Sequence, residues 1–188
     1  MENTYLSNER IYLRAVEPED IDFMYQIEND SSLWEVSSFT VPYSRFVLKQ
    51  YIENSCSDIY ADKQLRLMIV KRSDNCVIGT VDITDFAPLH ARGAVGIAVL
   101  KEFRREGYAA DALFLLMQYV FCFLHLKQLY AYIPVDNSAS LKLFSSNGFQ
   151  ECGVLKEWLR SGDKYKDAVL MQCVNTCNTA KLLQTGHE

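Results

Sequence analysis

The chain has 188 residues, of which 49% are hydrophobic and 23% charged, a composition that suits one globular domain with a packed core. Its net charge of −5 argues against nucleic acid as a partner, because nucleic-acid binders usually carry a basic excess. The N-terminal residues lack the apolar segment of a secretory signal. The longest apolar run, 108–126, is interrupted by Asp111, Gln118 and His125. We therefore expect neither a signal peptide nor a membrane span.

The hydrophobic pattern predicts, in order, a strand, two helices, three strands, a helix, a strand, a helix and a final hairpin. The expected ranges are 10–16, 17–30, 43–55, 65–72, 77–86, 94–100, 108–126, 127–135, 136–149 and 151–174. In the second helix Phe46, Val47, Tyr51 and Ile52 are expected to face inward. This order indicates a mixed α/β (α+β) fold in one domain, 1–174, followed by a tail, 175–188, that lacks periodicity.

The six cysteines give no sign of a metal site. No pair forms a C-x-x-C motif, and none stands at metal-ligand spacing from a histidine. We expect reduced thiols in a cytoplasmic protein that needs no metal.

A basic turn with a glycine, "FRREGYAADA" (103–112), opens the long apolar helix. Helix N-termini present unpaired N–H groups and the positive end of the helix dipole to anions. Gly107 allows the backbone to approach a ligand closely, and Arg104 and Arg105 add positive charge. The turn is therefore either a phosphate-binding site or a solvated basic turn before a buried helix.

Two motifs resemble those of the GNAT N-acetyltransferase superfamily. R-x-x-G-x-A at 104–109 resembles its acyl-CoA signature [QR]-x-x-G-x-[GA], and "NSASLKLFSSNGF" at 137–149 resembles its N-x-x-[AS]-x-x-L-[YF]-x-x-x-G-F. The opening "IYLRAVEPEDID" is similar to the family's first strand and helix. The resemblance covers roughly Arg10 to Val174. It implies a three-layer fold with a mostly antiparallel sheet of about six to seven strands, and acetyl-CoA as the acetyl donor.

The resemblance also implies the coenzyme residues. The pantetheine arm is expected between two splayed strands, where it would contact the backbone of Ile97, Ala98 and Val99. Asn137 and Ser140 are expected to contact the pantetheine part of the coenzyme. The diphosphate is expected on the amides of the turn, whose members are Arg104, Arg105, Glu106, Gly107, Tyr108 and Ala109.

Within the superfamily, the chain looks most like the ribosomal-protein N-terminal and spermidine acetyltransferases. Ser140 occupies the [AS] position, and "KEWLRSGDKYKD" resembles that branch's final hairpin. The stretch 27–55 resembles the region of a polyamine-recognising loop, in which Glu35 would meet a cation. The implied acceptor is a small amine, such as a polyamine, or a peptide N-terminus, with homo-oligomerisation left open.

Acetyl transfer to an amine requires a base, because most amines are protonated at neutral pH. Glu157 matches the branch's hairpin glutamate and is the first candidate for this base, followed by Asp85 and then Asp82. Each of these carboxylates could equally be a solvated surface charge with no catalytic role. Phe144 stands where many members have a tyrosine that reprotonates the thiolate, so Ser140 or water is expected to do this. The alternative functions are a non-catalytic CoA-binding module and a phosphate-binding protein unrelated to CoA.

Overall fold

The computed structural model describes residues 5–30, 42–55 and 58–176. Its strands and helices follow the predicted order, with one short additional helix, α3. The elements are β1 (Ile11–Ala15), α1 (Ile21–Glu28), α2 (Arg45–Asn54), α3 (Ile59–Asp62), β2 (Leu65–Lys71), β3 (Val77–Ala87), β4 (Arg92–Val99), α4 (Tyr108–Gln118), β5 (Gln128–Pro134), α5 (Ser138–Ser146), β6 (Gln150–Ser161) and β7 (Lys164–Val174).

The seven strands form one sheet in the order β1-β2-β3-β4-β5-β7-β6. Every neighbouring pair is antiparallel except β4 and β5, which are parallel. This confirms the predicted mixed α/β class with a mostly antiparallel sheet. The parallel pair is joined through α4, as expected for a crossover connection.

The parallel pair is short and then splays. β4 and β5 pair only from Arg92–Gln128 to Ala94–Tyr130. The rest of β4 continues to pair with β3 as far as Val99, opposite Gly79. A gap therefore opens between β4 and β5 toward their carboxyl ends.

Helices cover the two faces of the sheet differently. The main core lies on the face of α4 and includes Ile69, Val81, Leu113, Leu116 and Leu129, all fully buried. A smaller cluster on the opposite face brings α1 and α2 against β2 through Met24, Leu48, Met68 and Val70.

The prediction for the inward face of α2 is partly wrong. Phe46 is 67% exposed and Val47 is 43% exposed, whereas Leu48 is buried, with Tyr51 and Ile52 packed beside it. Residues spaced by three and four positions share one helix face, so Leu48 defines the buried stripe and the two preceding residues fall outside it.

The apolar run 108–126 is not one continuous α-helix. α4 ends at Gln118, and one π-helical turn, Tyr119–Phe123, follows it. Within the described residues, no helix is long and apolar enough to cross a membrane.

A buried ionic cluster ties α1 to the sheet. Arg66 of β2 donates to Glu28 at the end of α1 and, at 2.9 Å, to Asp82 of β3. Burial has the largest influence on Arg66 and lowers its pKa, but the charges of Asp82 and Glu28 outweigh it and raise that pKa. Burial raises the pKa of Glu28 above its ordinary value, against the opposing effect of Arg66. Arg66 thus compensates the charges of two carboxylates at a position that is largely shielded from solvent.

Replacing Arg66 by Ala should lower the free energy of unfolding by about 3–5 kcal/mol at neutral pH, because Glu28 and Asp82 would both lose their contacts with the buried guanidinium. Urea unfolding measures this difference. Lys49→Ala, which removes an exposed ion pair with Glu53, is the control and should lower the free energy of unfolding by no more than about 0.5 kcal/mol.

The deficit of Arg66→Ala should shrink as the pH falls. The folded-state pKa of Glu28 is already raised, so the folded protein takes up a proton there before the unfolded chain does. Loss of Arg66 removes an influence that lowers this pKa, so Glu28 of the variant becomes protonated at a higher pH and its buried charge is removed. A deficit that is constant between neutral and mildly acidic pH would contradict this role of the cluster.

Candidate active site

Two helix N-termini lie at the edge of the sheet where β4 and β5 have separated. Because the strands are parallel, their carboxyl ends point the same way, and each is soon followed by a helix. α4 begins at Tyr108 after the basic turn, and α5 begins at Ser138. The gap between the strands is thus flanked by two sets of backbone donors and two positive dipole ends.

The turn before α4 has an unusual backbone. Arg105 (φ 66°) and Gly107 (φ 88°) both adopt the left-handed region. Within the part of the chain that the structure describes, the N–H groups of residues 105–109 donate to no other protein group. Such a run of free amides at a helix start is suited to bind an anion.

The two arginines of the turn are used differently. Both side chains are exposed, but Nε of Arg104 donates to the carbonyl of Val99 at 2.8 Å and holds the end of β4, whereas Arg105 has no such contact with the described residues. Ile97 and Ala98, which precede Val99, lie in the part of β4 that has no partner on the β5 side. The free amides and the splayed strand fit a diphosphate carrying an extended arm, as in acetyl-CoA.

The start of α5 contains the second predicted group. Oδ1 of Asn137 caps this helix by accepting a hydrogen bond from the Ser140 amide at 3.1 Å. Both residues are half-buried. Phe144 is only 3% exposed and packs edge-to-face on Phe149, with ring centroids 4.9 Å apart, so it belongs to the main core.

The carboxylate candidates occupy different places. Asp85 and Glu157 are both exposed, both lie where the strand register shifts, and both have left-handed φ angles, 49° and 51°. Bulges of this kind redirect side chains and are frequent near active sites. Asp82, in contrast, is paired with Arg66. Glu35 lies outside the described residues.

Asp85 is on β3, directly after Thr84, which pairs with Ala94 of β4, the residue of the last β4–β5 pair. It raises the pKa of Tyr130, after the larger effect of burial, and Tyr130 forms the last pair between these strands. Glu157 is on the edge strand β6, and β7 and β5 lie between it and β4. Its N–H donates to Asp167, whose pKa is held low by Lys156 and, to a smaller degree, by this N–H.

An aromatic group that we call the aromatic wall was not predicted. It consists of Tyr130 and Tyr132 of β5 and Trp158 of β6, with centroid distances of 5.5 Å between the tyrosines and 5.6 Å from Tyr132 to Trp158. Tyr132 is 37% exposed and Trp158 is 53% exposed. The alternation in "QLYAYIP" placed both tyrosines on one face, but the position of Trp158 depends on the bulge in β6.

No metal centre is present among the described residues, since no cluster of three or more ligating side chains occurs there. Cys76, Cys122, Cys152 and Cys173 are free thiols. Cys56 and Cys177 lie outside the described ranges.

Comparison with known proteins gives the same fold and chemistry. A family model described as an acetyltransferase (GNAT) domain matches residues 10–150. The spermidine N(1)-acetyltransferase of Vibrio cholerae is 25% identical over 164 residues, which cover 87% of this chain and 92% of that protein. Its namesake from Escherichia coli K12 is 27% identical over 165 residues, covering 86% and 84%.

Solved structures share the architecture. Vibrio cholerae spermidine N-acetyltransferase in complex with CoA and spermine matches with a TM-score of 0.79 and 24% identity over 89% of this chain and 97% of that one. Ribosomal-protein-S5-alanine acetyltransferase from Vibrio fischeri also matches with a TM-score of 0.79, at 18% identity over 90% and 96%.

The fold and the family match therefore define an acyltransferase that uses a coenzyme A thioester. The chain belongs to the acetyltransferase (GNAT) family and is an acetyl-CoA-dependent N-acetyltransferase.

Gly107→Val should raise the KM for acetyl-CoA by about tenfold or more, comparable to the loss of a hydrogen bond to a charged group. A Cβ at this position would lie 3.2 Å from Nη1 of Arg10, and φ 88° strains any branched residue. Gly148→Val is the matched control, because Gly148 has φ 86° and no atom within 4 Å of a Cβ. Equal KM values for the two variants in steady-state assays would argue against a diphosphate at the turn.

Proposed function

We propose that the protein acetylates a primary amine on a small aliphatic polyamine or a related cationic amine. The observation that carries this proposal is the aromatic wall beside Asp85 at the separation of β4 and β5. Aromatic faces attract alkylammonium groups, and a carboxylate adds charge complementarity. The names of the relatives from Vibrio cholerae and Escherichia coli support the same acceptor class.

The coenzyme supplies an activated acetyl group as a thioester. In the proposed arrangement, the free amides of residues 105–109 bind its diphosphate, and the side of β4 that faces away from β3 at Ile97, Ala98 and Val99 holds its arm. The N–H of Arg104 donates to the carbonyl of Lys101, and the carbonyl of Val99 accepts from Arg104, so these two groups are already used. Asn137 and Ser140 lie on the other side of the gap, at the start of α5. These assignments are supported by the free amides and by the limited pairing of β4 with β5.

The amine must lose a proton before it attacks, and we assign this step to Asp85, directly or through water. Its place beside Tyr130 supports this choice over Glu157, which lies on the sheet edge. In this scheme Glu157 attracts the distal charge of the acceptor next to Trp158.

The departing sulfur must regain a proton. Phe144 has no acidic group and is buried against Phe149, so this position offers no donor. The hydroxyl of Ser140, or water next to it, is the proposed source.

An amine panel tests the proposed acceptor. The purified protein is incubated with acetyl-CoA and spermidine, spermine, simple monoamines or peptides with free N-termini, and thiol release is followed. The proposal predicts the highest kcat/KM for polyamines. A preference for peptides would select a protein N-terminus as acceptor, and CoA binding without any turnover would select a non-catalytic CoA-binding module.

Asp85→Asn should reduce kcat by about 10²–10⁴-fold, the usual contribution of a general base, and leave the KM for acetyl-CoA unchanged. Glu157→Gln should instead raise the KM for the polyamine. Glu151→Gln, an exposed carboxylate change at the start of β6, is the control and should alter neither constant. A loss of kcat in Glu157→Gln but not in Asp85→Asn would reverse the two roles.

Trp158→Ala should raise the KM for a polyamine about fivefold or more, in line with one cation–π contact, without changing the KM for acetyl-CoA. Trp158→Phe retains an aromatic face, so its KM for the polyamine should lie between that of Trp158→Ala and that of the native enzyme. If Trp158→Ala behaves like the native protein toward every amine, the aromatic wall has no part in acceptor binding.

A further inference from the structure

Arg10 reaches from the beginning of the chain to the turn that precedes α4. Its Nη2 donates to the carbonyl oxygen of Glu106 at 2.6 Å, across 96 residues of sequence. Its Nη1 donates to Asp111 at 2.8 Å, and the guanidinium lies 4.7 Å from the centre of the Tyr108 ring. One side chain thus contacts the turn and the first helical turn of α4.

The contact with Glu106 determines where the next amide points. A trans peptide is planar, with its C=O and N–H on opposite sides. The described backbone contains no cis peptide, so the N–H of Gly107 points away from Arg10. Arg10 therefore lies behind this peptide and directs the Gly107 amide, one of the free N–H groups of the turn, toward the opposite side.

The backbone at this place needs such support. Arg105 has φ 66°, which is unfavourable for a residue with a side chain, and Gly107 at φ 88° has many other conformations open to it. A bidentate guanidinium is well suited to hold one carbonyl and one carboxylate at fixed separation. Lysine offers a single point charge and lacks this geometry.

Arg10 also compensates a charge that would oppose an anionic ligand. Asp111 is in the first turn of α4, and its carboxylate is 26% exposed. Without Arg10 this negative charge would stand uncompensated near the same helix N-terminus. The arginine therefore has two separable effects on the turn, one on the direction of an amide and one on the local charge.

We propose that Arg10 is a positioning residue for the coenzyme, which holds the Glu106 carbonyl so that the Gly107 amide faces the diphosphate of acetyl-CoA. This rests on the proposed assignment of the turn 104–109 to the diphosphate. Because the side chain of Arg10 contacts the turn and the start of α4, it should affect coenzyme affinity and not the rate of the bound complex.

The first test is the affinity of Arg10→Ala for CoA, measured by calorimetry, together with kcat at saturating acetyl-CoA. The expected result is binding about tenfold weaker, equivalent to about 1.4 kcal/mol, with kcat unchanged. Arg45→Ala is the matched control, since Arg45 also combines an ion pair, with Asp22 at 2.9 Å, and a ring contact, with Tyr25 at 4.2 Å, but is remote from the turn. Native CoA affinity in Arg10→Ala would overturn the proposal.

A second donor separates the diphosphate from general loosening of the fold. Acetyl-pantetheine carries the thioester and the arm but no diphosphate. The kcat/KM of Arg10→Ala should fall about tenfold with acetyl-CoA and stay native with acetyl-pantetheine. An equal loss with both donors would show that Arg10 acts on the whole enzyme and not on the turn.

A double variant separates direction from charge. Arg10→Ala combined with Asp111→Asn removes both the arginine and the carboxylate that it neutralises. The loss of CoA affinity should persist, because the Glu106 carbonyl is still released. Complete recovery would overturn the proposal in favour of charge compensation alone.

A conservative variant guards against misfolding of Arg10→Ala. Arg10→Lys keeps a cation beside Asp111 but cannot hold the carboxylate and the carbonyl in the same way, so its CoA affinity should remain below the native value. A native affinity in Arg10→Lys would contradict the need for two bonds. Absence of amine acetylation with normal CoA binding would instead count against the proposed function and leave the Arg10 result intact.

Discussion

The site depends on how soon β4 and β5 stop pairing. Three residue pairs join them, and β4 then continues alone beside β3 to Val99. A sheet normally satisfies its backbone through neighbouring strands, so separated strands offer donors and acceptors to a ligand. Since both strands run the same way, the opening also collects the beginnings of α4 and α5. The early end of this pairing thus accounts for the open side of β4 and for its position beside two helix starts, the two features on which the proposed coenzyme site is based.

Left-handed backbone occurs at several residues to which we assign chemistry, and also at Lys63, Asn75, Ala91 and His125, which have no such assignment. Arg105 and Gly107 lie in the turn before α4, while Asp85 and Glu157 stand at irregular points of β3 and β6. For residues other than glycine this conformation costs free energy, and it persists only when the surroundings impose it. At Glu157 the imposing contact is identifiable, because its N–H donates to Asp167, which Lys156 also contacts.

Features that depend on residues close in sequence could be predicted, whereas features that depend on contacts between distant residues could not. Strands, helix starts and the two motifs arise from neighbouring residues, and these expectations are confirmed in the element order and the sheet. Arg10 was not found because its partners lie about a hundred residues away. Trp158 was missed for a related reason, since a bulge shifts the face to which a strand residue belongs. Phe46 was misplaced because aromatic character says nothing about which stripe of a helix is covered.

Phe144 shows how packing and catalysis compete for one position. Its ring is buried edge-to-face on Phe149 in the main core, and burial of an aromatic pair of this geometry stabilises the fold. A phenol at this place would bring a hydroxyl into the core, which is costly unless a partner accepts its hydrogen bond. The chain therefore uses this position for the core under α5. In the proposed scheme, proton return is therefore assigned to the beginning of the same helix, where half-buried Ser140 follows the cap at Asn137.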